Sequence, residues 1–237
     1  MNKKNKLLSA FVAMMVFASL ALSGCSIFSR KPAYSIQDAI AYMENRYDDT
    51  FTYLEDYDDH QPTGGSYDLY LKSKKFPDQK VYLRIIRSGD GFRYVDNYIA
   101  VKYYDETRDS IEEIATSVYG SNFNLLCEPG PSKAMSSEHD PDMSLQEFWL
   151  TKEADLTCCL KIAPEYGDTN AEAELDQIED LIKEKKMCIR FSIYYTKDQD
   201  FYEATKNRDA KWNEYSTHML IGIGPDMKTE VKTLSQK

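Results

Sequence analysis

The residues with the clearest capacity for chemistry form an acidic cluster in the first third of the chain. Its members are Glu55, Asp56, Asp58, Asp59 and His60. Carboxylate oxygens are the ligands that hard cations such as Ca²⁺ prefer, but the spacing lacks the glycine and the final glutamate of an EF-hand loop. A solvated acidic loop explains the same residues without any ligand. The sequence therefore predicts an acidic surface loop, with a cation site as the alternative.

The chain lacks the motifs of common hydrolases and nucleotide-binding enzymes. Its three histidines, His60, His139 and His218, do not fall in an HExxH pattern, and the chain has no GxSxG or Walker A sequence. With 39 acidic residues, some carboxylates meet in any fold, so a pair for glycoside hydrolysis is not informative. We therefore expect a protein that is not an enzyme and has no cofactor, and we rank a hydrolase built on carboxylates last.

Tyrosine is the one residue type in clear excess. The chain has 18 tyrosines, most of them in its first half. A tyrosine ring with its polar hydroxyl suits recognition surfaces, although tyrosine is also common in half-buried strands. If these residues form a surface, it would bind a protein, a peptide or a glycan. The candidates for that surface lie in predicted strands and are Tyr67, Tyr70, Tyr82 and Tyr94.

Composition limits the classes of partner. The formal net charge is −10, and no stripe of lysine or arginine is present. Since nucleic acids are bound through clustered basic residues, we expect no nucleic-acid partner. A hydrophobic fraction of 42% is enough for a folded core.

The amino terminus has the three parts of a secretory signal. Lysines at positions 3, 4 and 6 precede an apolar run over 7–22, and small residues follow. The run is 16 residues long, whereas a membrane-spanning helix needs about 20. We therefore predict that residues 1–24 are a signal peptide.

The sequence Leu22-Ser23-Gly24-Cys25 resembles the lipobox of bacterial lipoprotein precursors. The resemblance implies that Cys25 becomes the first mature residue and carries a lipid, so that residues 25–34 tether the protein to the outward-facing side of a cell membrane. Two or three acyl chains anchor a protein stably. The alternative is an ordinary secretory signal in which the cysteine is incidental.

Four further cysteines leave two alternatives open. They form one or two disulfides outside the cell, or they are buried apolar thiols. None has the CxxC spacing of a zinc or redox site, and the four are Cys127, Cys158, Cys159 and Cys188.

Hydrophobic periodicity predicts mixed secondary structure. We expect a helix capped by Ser35, a helix over 105–119 ended by Gly120, and a helix over 169–186 with a capping box at Thr169 and Glu172. A more polar helix is predicted over 198–214. Strands are predicted over 50–55, 67–71, 80–87, 92–99, 122–127, 146–151, 156–162, 187–195 and 217–223.

The pattern predicts an α+β fold, with antiparallel sheets and about four helices packed on one face. The segment 128–142 is rich in proline and reads as a surface loop between a helix-plus-meander half, 35–127, and a second α+β half, 143–225. A frayed tail follows over 226–237.

Two junctions suggest that the halves are similar. Tyr47, Phe51 and Leu54 have the same spacing as Tyr119, Phe123 and Leu126, so either duplication or coincidence explains the match. The segment 35–127 also resembles lipoproteins of single-membraned bacteria, a resemblance that implies no activity.

We therefore expect a lipid-anchored, non-catalytic cell-surface protein that binds an extracellular protein or envelope component. The alternative is a solute- or cation-binding lipoprotein that serves a transporter or sensor, with the acidic cluster as its site.

Overall fold

The computed structural model describes residues 34–57, 65–127, 134–136, 138–152, 156–205 and 215–236. Cys25 and the rest of the predicted signal lie outside the described residues, as do Asp58, Asp59 and His60. Within the described ranges, no helix is long and apolar enough to cross a membrane.

The protein has an α+β fold with ten strands and six α-helices in the described residues. The strands are β1 Phe51–Asp56, β2 Ser66–Ser73, β3 Lys80–Ser88, β4 Gly91–Asp96, β5 Phe123–Leu126, β6 Met135–Ser136, β7 Leu156–Ile162, β8 Ile189–Thr196, β9 Tyr215–Ile223 and β10 Thr229–Gln236. The helices are α1 Ile36–Tyr47, α2 Tyr98–Lys102, α3 Tyr104–Tyr119, α4 Leu145–Leu150, α5 Ala171–Lys185 and α6 Gln199–Thr205.

The strands form two five-stranded sheets. The first has the order β1-β2-β3-β4-β6, and all its neighbours are antiparallel. The second has the order β10-β9-β8-β7-β5, in which only β7 and β8 are parallel. Helix α5 connects these two strands, as a parallel pair requires.

One hydrophobic core joins the two sheets. It contains Leu71 and Leu83 from the first sheet and Phe191 and Ile193 from the second, all fully buried. The alternation predicted for 187–195 is confirmed, because its odd-numbered residues are buried. Helices α1, α3 and α5 contribute apolar residues to this core, whereas α6 lies on the opposite face of the second sheet, where Asn124 Nδ2 donates to Tyr202 O at 3.2 Å.

Three predictions concern the ends of helices. Ser35 caps α1 as predicted, with its hydroxyl accepting the Asp38 N–H at 3.1 Å. The predicted strand 146–151 is wrong: this segment is helix α4, because Ser144 and Glu147 form a reciprocal capping box. The capping box predicted at Thr169 and Glu172 is also wrong, since α5 begins at Ala171 after Asn170, whose side chain makes no capping bond.

The predicted strand 92–99 is too long. Strand β4 ends at Asp96 because the Asn97 side chain accepts the Tyr82 N–H at 2.7 Å, and the Tyr98 N–H donates to Asp96 Oδ1 at 3.0 Å. These side-chain bonds replace ladder bonds, and α2 begins immediately afterwards.

Two segments that read as irregular contain strands. Met135 in the predicted loop is buried and pairs with Asp96 in the first sheet. The predicted frayed tail is wrong, because β10 pairs with β9 over most of its length.

The two matched junctions both join a helix to a strand, with Tyr47 and Tyr119 ending helices and Phe51 and Phe123 beginning strands. A duplication of the halves stays a prediction.

Candidate binding surface

The register of the first sheet divides the four candidate tyrosines between its two faces. Tyr70 is paired with Tyr82, and both point away from the core. Tyr67 is paired with Ile85, and Tyr94 is paired with the same residue from the other side, so both lie on the core face. The four tyrosines therefore do not form a single surface.

The outward face carries a group of three tyrosine rings. Tyr57, which sequence reasoning did not single out, lies 5.5 Å from Tyr70 and 5.3 Å from Tyr82, measured between ring centroids. Tyr70 and Tyr82 are 6.1 Å apart in an edge-to-face arrangement. Such distances are those of stabilising aromatic pairs. We call this surface the tyrosine face, and it also includes Glu55, Asp68, Lys80 and Arg84.

A half-buried ion pair fixes the centre of the tyrosine face. Arg84 donates to both carboxylate oxygens of Asp68, at 2.9 and 2.7 Å, and the Tyr82 hydroxyl donates to the same carboxylate at 3.0 Å. Tyr82 is only 1% exposed. Burial, together with the nearby negative charge of Asp68, raises the pKa of Tyr82, so the hydroxyl stays protonated.

The edge of the tyrosine face is open to solvent. Lys80 Nζ lies 2.6 Å from Glu55 Oε1 and 5.4 Å from the centroid of the Tyr70 ring. The Tyr57 side chain is 42% exposed. The exposed Tyr57 ring and the half-buried Tyr70 ring thus lie beside paired charges, and aromatic rings together with charged groups are common at protein interfaces.

On the other face, Tyr67 and Tyr94 serve the packing of the chain. Tyr94 stacks on Tyr42 of α1 at 4.1 Å, and Tyr67 lies 5.7 Å from Tyr34. The Tyr67 hydroxyl also donates to Asp56. These contacts are made within the protein and leave little ring surface for a partner.

The two described members of the acidic cluster point in different directions. A bulge in β1 between Tyr53 and Glu55 turns Glu55 towards Lys80, whereas Asp56 accepts bonds from Tyr53 and Tyr67. In the described ranges, no group of three acidic, histidine or cysteine residues is placed to hold a metal ion. A cation site that depends on Asp58, Asp59 and His60 stays a prediction.

A buried carboxylate lies at the end of β4, on the core face of the first sheet. Asp96 is 3% exposed and accepts hydrogen bonds from the Tyr98 N–H and from the Tyr47 hydroxyl, the latter at 2.8 Å. Burial raises the pKa of Asp96 to about 6, while these bonds and the nearby Arg46 oppose the rise. Its partners are all structural, so we assign Asp96 to stability.

The second sheet brings together a group of residues that the sequence analysis missed. Lys161 is almost fully buried, with its Nζ 3.6 Å from the centre of the Tyr194 ring, and His218 stacks on the other side of that tyrosine at 4.3 Å. Burial lowers the pKa of Lys161, and burial and the Lys161 charge lower the pKa of His218. In the sequence, the feature that could have predicted this group is Lys161, a lysine inside the apolar strand predicted over 156–162.

Among the described residues, the four cysteines form no disulfide. Cys158 is buried and the others are half-buried, so the alternative of apolar thiols describes them. Burial raises the pKa of Cys159, which favours its neutral form.

The fold and its exposed face define an α+β protein built on two sheets around one core. No family model matches the chain, and no curated protein matches it. A search of solved structures finds the crystal structure of a DUF5037 family protein from Ruminococcus gnavus ATCC 29149. The two chains are 14% identical with a TM-score of 0.45, over 81% of this chain and 92% of that one. This likeness adds nothing to the argument about function.

Proposed function

We propose that this protein is a lipid-anchored, non-catalytic binding protein of the cell surface, held to the membrane through Cys25, whose tyrosine face binds a protein partner at the cell envelope. The observation that carries the proposal is the group of Tyr57, Tyr70 and Tyr82 on the outward face of the first sheet. Helices α1 and α2 pack on the opposite face, where Met43 and Ile99 join the core.

The chemistry of the tyrosine face favours a protein as partner. Tyrosine and arginine are the residues that most often supply binding energy at protein interfaces. On this face the Arg84 guanidinium is held by Asp68 and lies 5.7 Å from the centre of the Tyr82 ring. Groups that are already held in place lose little conformational freedom on binding.

The anchor would keep the partner close to the membrane. A tether over residues 26–34 reaches at most about 30 Å when it is fully extended. Without residues 1–24, which contain three lysines and no acidic residue, the formal charge is −13; this repels an anionic lipid surface, so the folded body would stand away from the bilayer while acyl chains hold it. Replacing Cys25 by serine should release the protein from the membrane fraction.

Site-specific photo-crosslinking in intact cells tests the binding surface. A photoreactive phenylalanine analogue replaces Tyr57 in one variant and Tyr53 in the control. Tyr53 is a matched control because it is 40% exposed in β1, which ends directly before Tyr57, but does not belong to the tyrosine face. We expect a discrete crosslinked species with the analogue at position 57 and none at position 53.

Three results would contradict the proposal. Equal crosslinking at both positions would mean that the tyrosine face is not the contact surface. The absence of a crosslink at position 57 would contradict the assignment of the tyrosine face as the binding surface. A Cys25→Ser variant that stays in the membrane fraction would contradict the lipid anchor.

A further inference from the structure

Two of the four cysteines lie opposite each other across strands β5 and β7. The antiparallel register of these strands ends with Leu126 opposite Cys159. The next position of the same register pairs Cys127, the residue directly after β5, with Cys158 of β7. The Cys127 sulfur lies 4.0 Å from the carbonyl oxygen of Thr157, the residue before Cys158, so the two chain segments still run side by side at this level.

The main-chain hydrogen bonds define the kind of pair that these two cysteines form. The Ala163 N–H donates to the Asn122 carbonyl at 2.8 Å, and hydrogen-bonded pairs alternate with non-hydrogen-bonded pairs in an antiparallel ladder. Counting along the register from this bond makes Cys127 and Cys158 a non-hydrogen-bonded pair. In agreement, the Cys127 carbonyl accepts a hydrogen bond from the Tyr104 hydroxyl of α3, at 2.9 Å.

A non-hydrogen-bonded position suits a disulfide. Opposite Cα atoms at such a position are about 4.5 Å apart, and a disulfide joins residues whose Cα atoms are about 4.4–6.8 Å apart. Both side chains lie on the core side of the second sheet, because Cys158 is a buried core residue and Cys127 packs against the core. The two thiols are therefore on the same face of adjacent chain segments, as the bond requires.

Cys159 and Cys188 are not placed to pair with either of these residues. Cys159 points to the opposite face of β7 from its neighbour Cys158, since successive residues of a strand alternate. Cys188 comes one residue before the first pair of the β7–β8 ladder, which is Leu156 with Ile189. It is therefore three residues, or about 10 Å along the strands, from the level of Cys158, whereas disulfide partners have Cα atoms less than about 7 Å apart.

We propose that Cys127 and Cys158 form an intramolecular disulfide that links β5 to β7 when the protein meets an oxidising disulfide, either a small molecule such as glutathione disulfide or a protein disulfide. The described cysteines form no disulfide, so the structure represents the reduced form of this pair. The inference goes beyond the function proposed for the tyrosine face. Only its setting, an oxidising compartment outside the cell, rests on the proposed location.

The reaction is a thiol–disulfide exchange in two steps. The Cys127 thiolate attacks one sulfur of the external disulfide, which forms a mixed disulfide and expels a first thiolate. The Cys158 thiolate then attacks the Cys127 sulfur, which closes the internal bond and expels a second thiolate. Two protein thiols are oxidised, the external disulfide is reduced to two thiols, and the two protein protons pass to the expelled thiolates. Cys127 reacts first because it is half-buried, whereas Cys158 is only 4% exposed.

The bond would restrain the chain between the two sheets. It closes a loop over 127–158 that contains β6 and α4. A crosslink stabilises a protein mainly by restricting the unfolded chain, and the effect grows with the length of the loop. For a loop and a protein of this size, we expect the oxidised form to melt about 5–15 °C above the reduced form.

Peptide mapping of the full-length protein in detergent tests the pairing. The protein is equilibrated with glutathione disulfide or with dithiothreitol, its remaining thiols are alkylated, and it is digested with trypsin without reductant. Cleavage after lysine and arginine leaves Cys127 in the peptide 109–133 and both Cys158 and Cys159 in the peptide 153–161. Because these two neighbours share a peptide, the variants Cys158→Ala and Cys159→Ala are needed to separate them.

We expect glutathione disulfide to join the two peptides in the wild type and in the matched control Cys159→Ala, and dithiothreitol to separate them. Cys188→Ala should behave as the wild type does, whereas Cys127→Ala and Cys158→Ala should abolish the joined species. The difference in melting temperature between the oxidised and reduced protein should disappear in Cys127→Ala. Circular dichroism shows whether the buried variant Cys158→Ala is folded; if it is not, persistence of the joined species in Cys159→Ala decides.

The proposal is overturned if no joined species forms, or if the joined species is lost in Cys159→Ala and kept in Cys158→Ala. It is also overturned if a non-reducing gel shows the bond only in covalent dimers, because the bond would then link two copies. These outcomes do not depend on the tyrosine face or on the lipid anchor, since the purified protein is oxidised in solution.

Discussion

The two sheets have the same number of strands but leave different parts of themselves accessible. The first sheet is a chain of antiparallel neighbours, and its outward face shows side chains such as Tyr57 and Tyr70. The second contains the parallel pair β7 and β8, and helices lie on both of its faces, with α5 on the core side and α6 on the other. Among the described residues, the outer edge of β5 pairs with no other strand.

Connection geometry explains this difference. Antiparallel strands can be joined by short turns, such as Ser88 to Gly91 between β3 and β4, which leave one face uncovered. A parallel pair needs a longer crossover, and here that crossover is a helix that covers the sheet. The first sheet thus has one face of accessible side chains, whereas helices lie on both faces of the second.

The prediction with the largest expected effect tests whether the two sheets share one core. Phe191→Ala removes a fully buried ring from the second sheet and should lower the free energy of unfolding by about 3–5 kcal/mol. Leu234→Ala, at a side chain that is 41% exposed, should change it by less than about 0.5 kcal/mol. Urea unfolding followed by circular dichroism and tyrosine fluorescence should give one transition, and two separate transitions would show independent sheets.

The buried carboxylate of the first sheet should make stability depend on pH. The pKa of Asp96 is about 6 in the folded protein against 3.8 as its ordinary value, so the folded state holds the proton more tightly. Its contribution is fully present below pH 3.8 and is lost as the pH rises through about 6, for a total of about 3 kcal/mol.

The Asp96→Asn variant provides the measurement. Urea unfolding at several pH values between 4 and 7 should show that the wild type loses stability relative to Asp96→Asn as the pH rises. Equal pH dependence in the two proteins would mean that Asp96 has an ordinary pKa.

The ion pairs of the tyrosine face should differ in their contribution to stability. Asp68→Ala leaves the buried Tyr82 hydroxyl and the Arg84 guanidinium without their acceptor and should cost about 1–3 kcal/mol. Lys80→Ala breaks a pair whose two side chains are more than half exposed, so we expect a much smaller change. Urea unfolding of both variants checks this, and a larger loss for Lys80→Ala would contradict the description of the face.

The smallest expected effect is at His218, and it has the opposite sign to that of Asp96. Burial lowers the pKa of His218 below 6.5, so the unfolded chain binds the proton more readily. The contribution of His218 to stability should therefore fall as the pH drops below 6.5, and His218→Gln should remove that loss. Thermal unfolding of the wild type and of His218→Gln at pH 7 and pH 5 measures this difference. If the melting temperature changes equally with pH in the two proteins, His218 is not involved.

Sequence patterns predicted the elements that have strong local signals. Helix α1 has a capping serine and regular apolar spacing, and β8 alternates clearly between buried and exposed residues. Helix α4 was missed because it is only six residues long, too short for its apolar spacing to distinguish a helix from a strand. Strand β10 was missed because its exposed residues, such as Lys232, resemble those of a tail.

The binding surface could be predicted only in part, because the face that a side chain occupies depends on register. The excess of tyrosine pointed to Tyr70 and Tyr82, but only the pairing of Tyr67 and Tyr94 with Ile85 of β3 shows that these two lie on the core face. Tyr57 joins the surface because the bulge in β1 changes which side the following residues occupy. The open edge of β5 was not predictable, since it follows from the order of strands that are distant in sequence.

Chemical footprinting of tyrosines tests the central claim most directly, namely that the tyrosine face is covered by a partner on the cell. Full-length protein in detergent and the same protein on intact cells are treated with a tyrosine-modifying reagent, and the modification of Tyr57 and Tyr53 is quantified by mass spectrometry. The two side chains have similar exposure, 42% and 40%, and the ratio of their reactivities in the purified protein is the reference. We predict that on cells Tyr57 becomes several-fold less reactive while Tyr53 does not change. An unchanged ratio of the two reactivities would contradict the account.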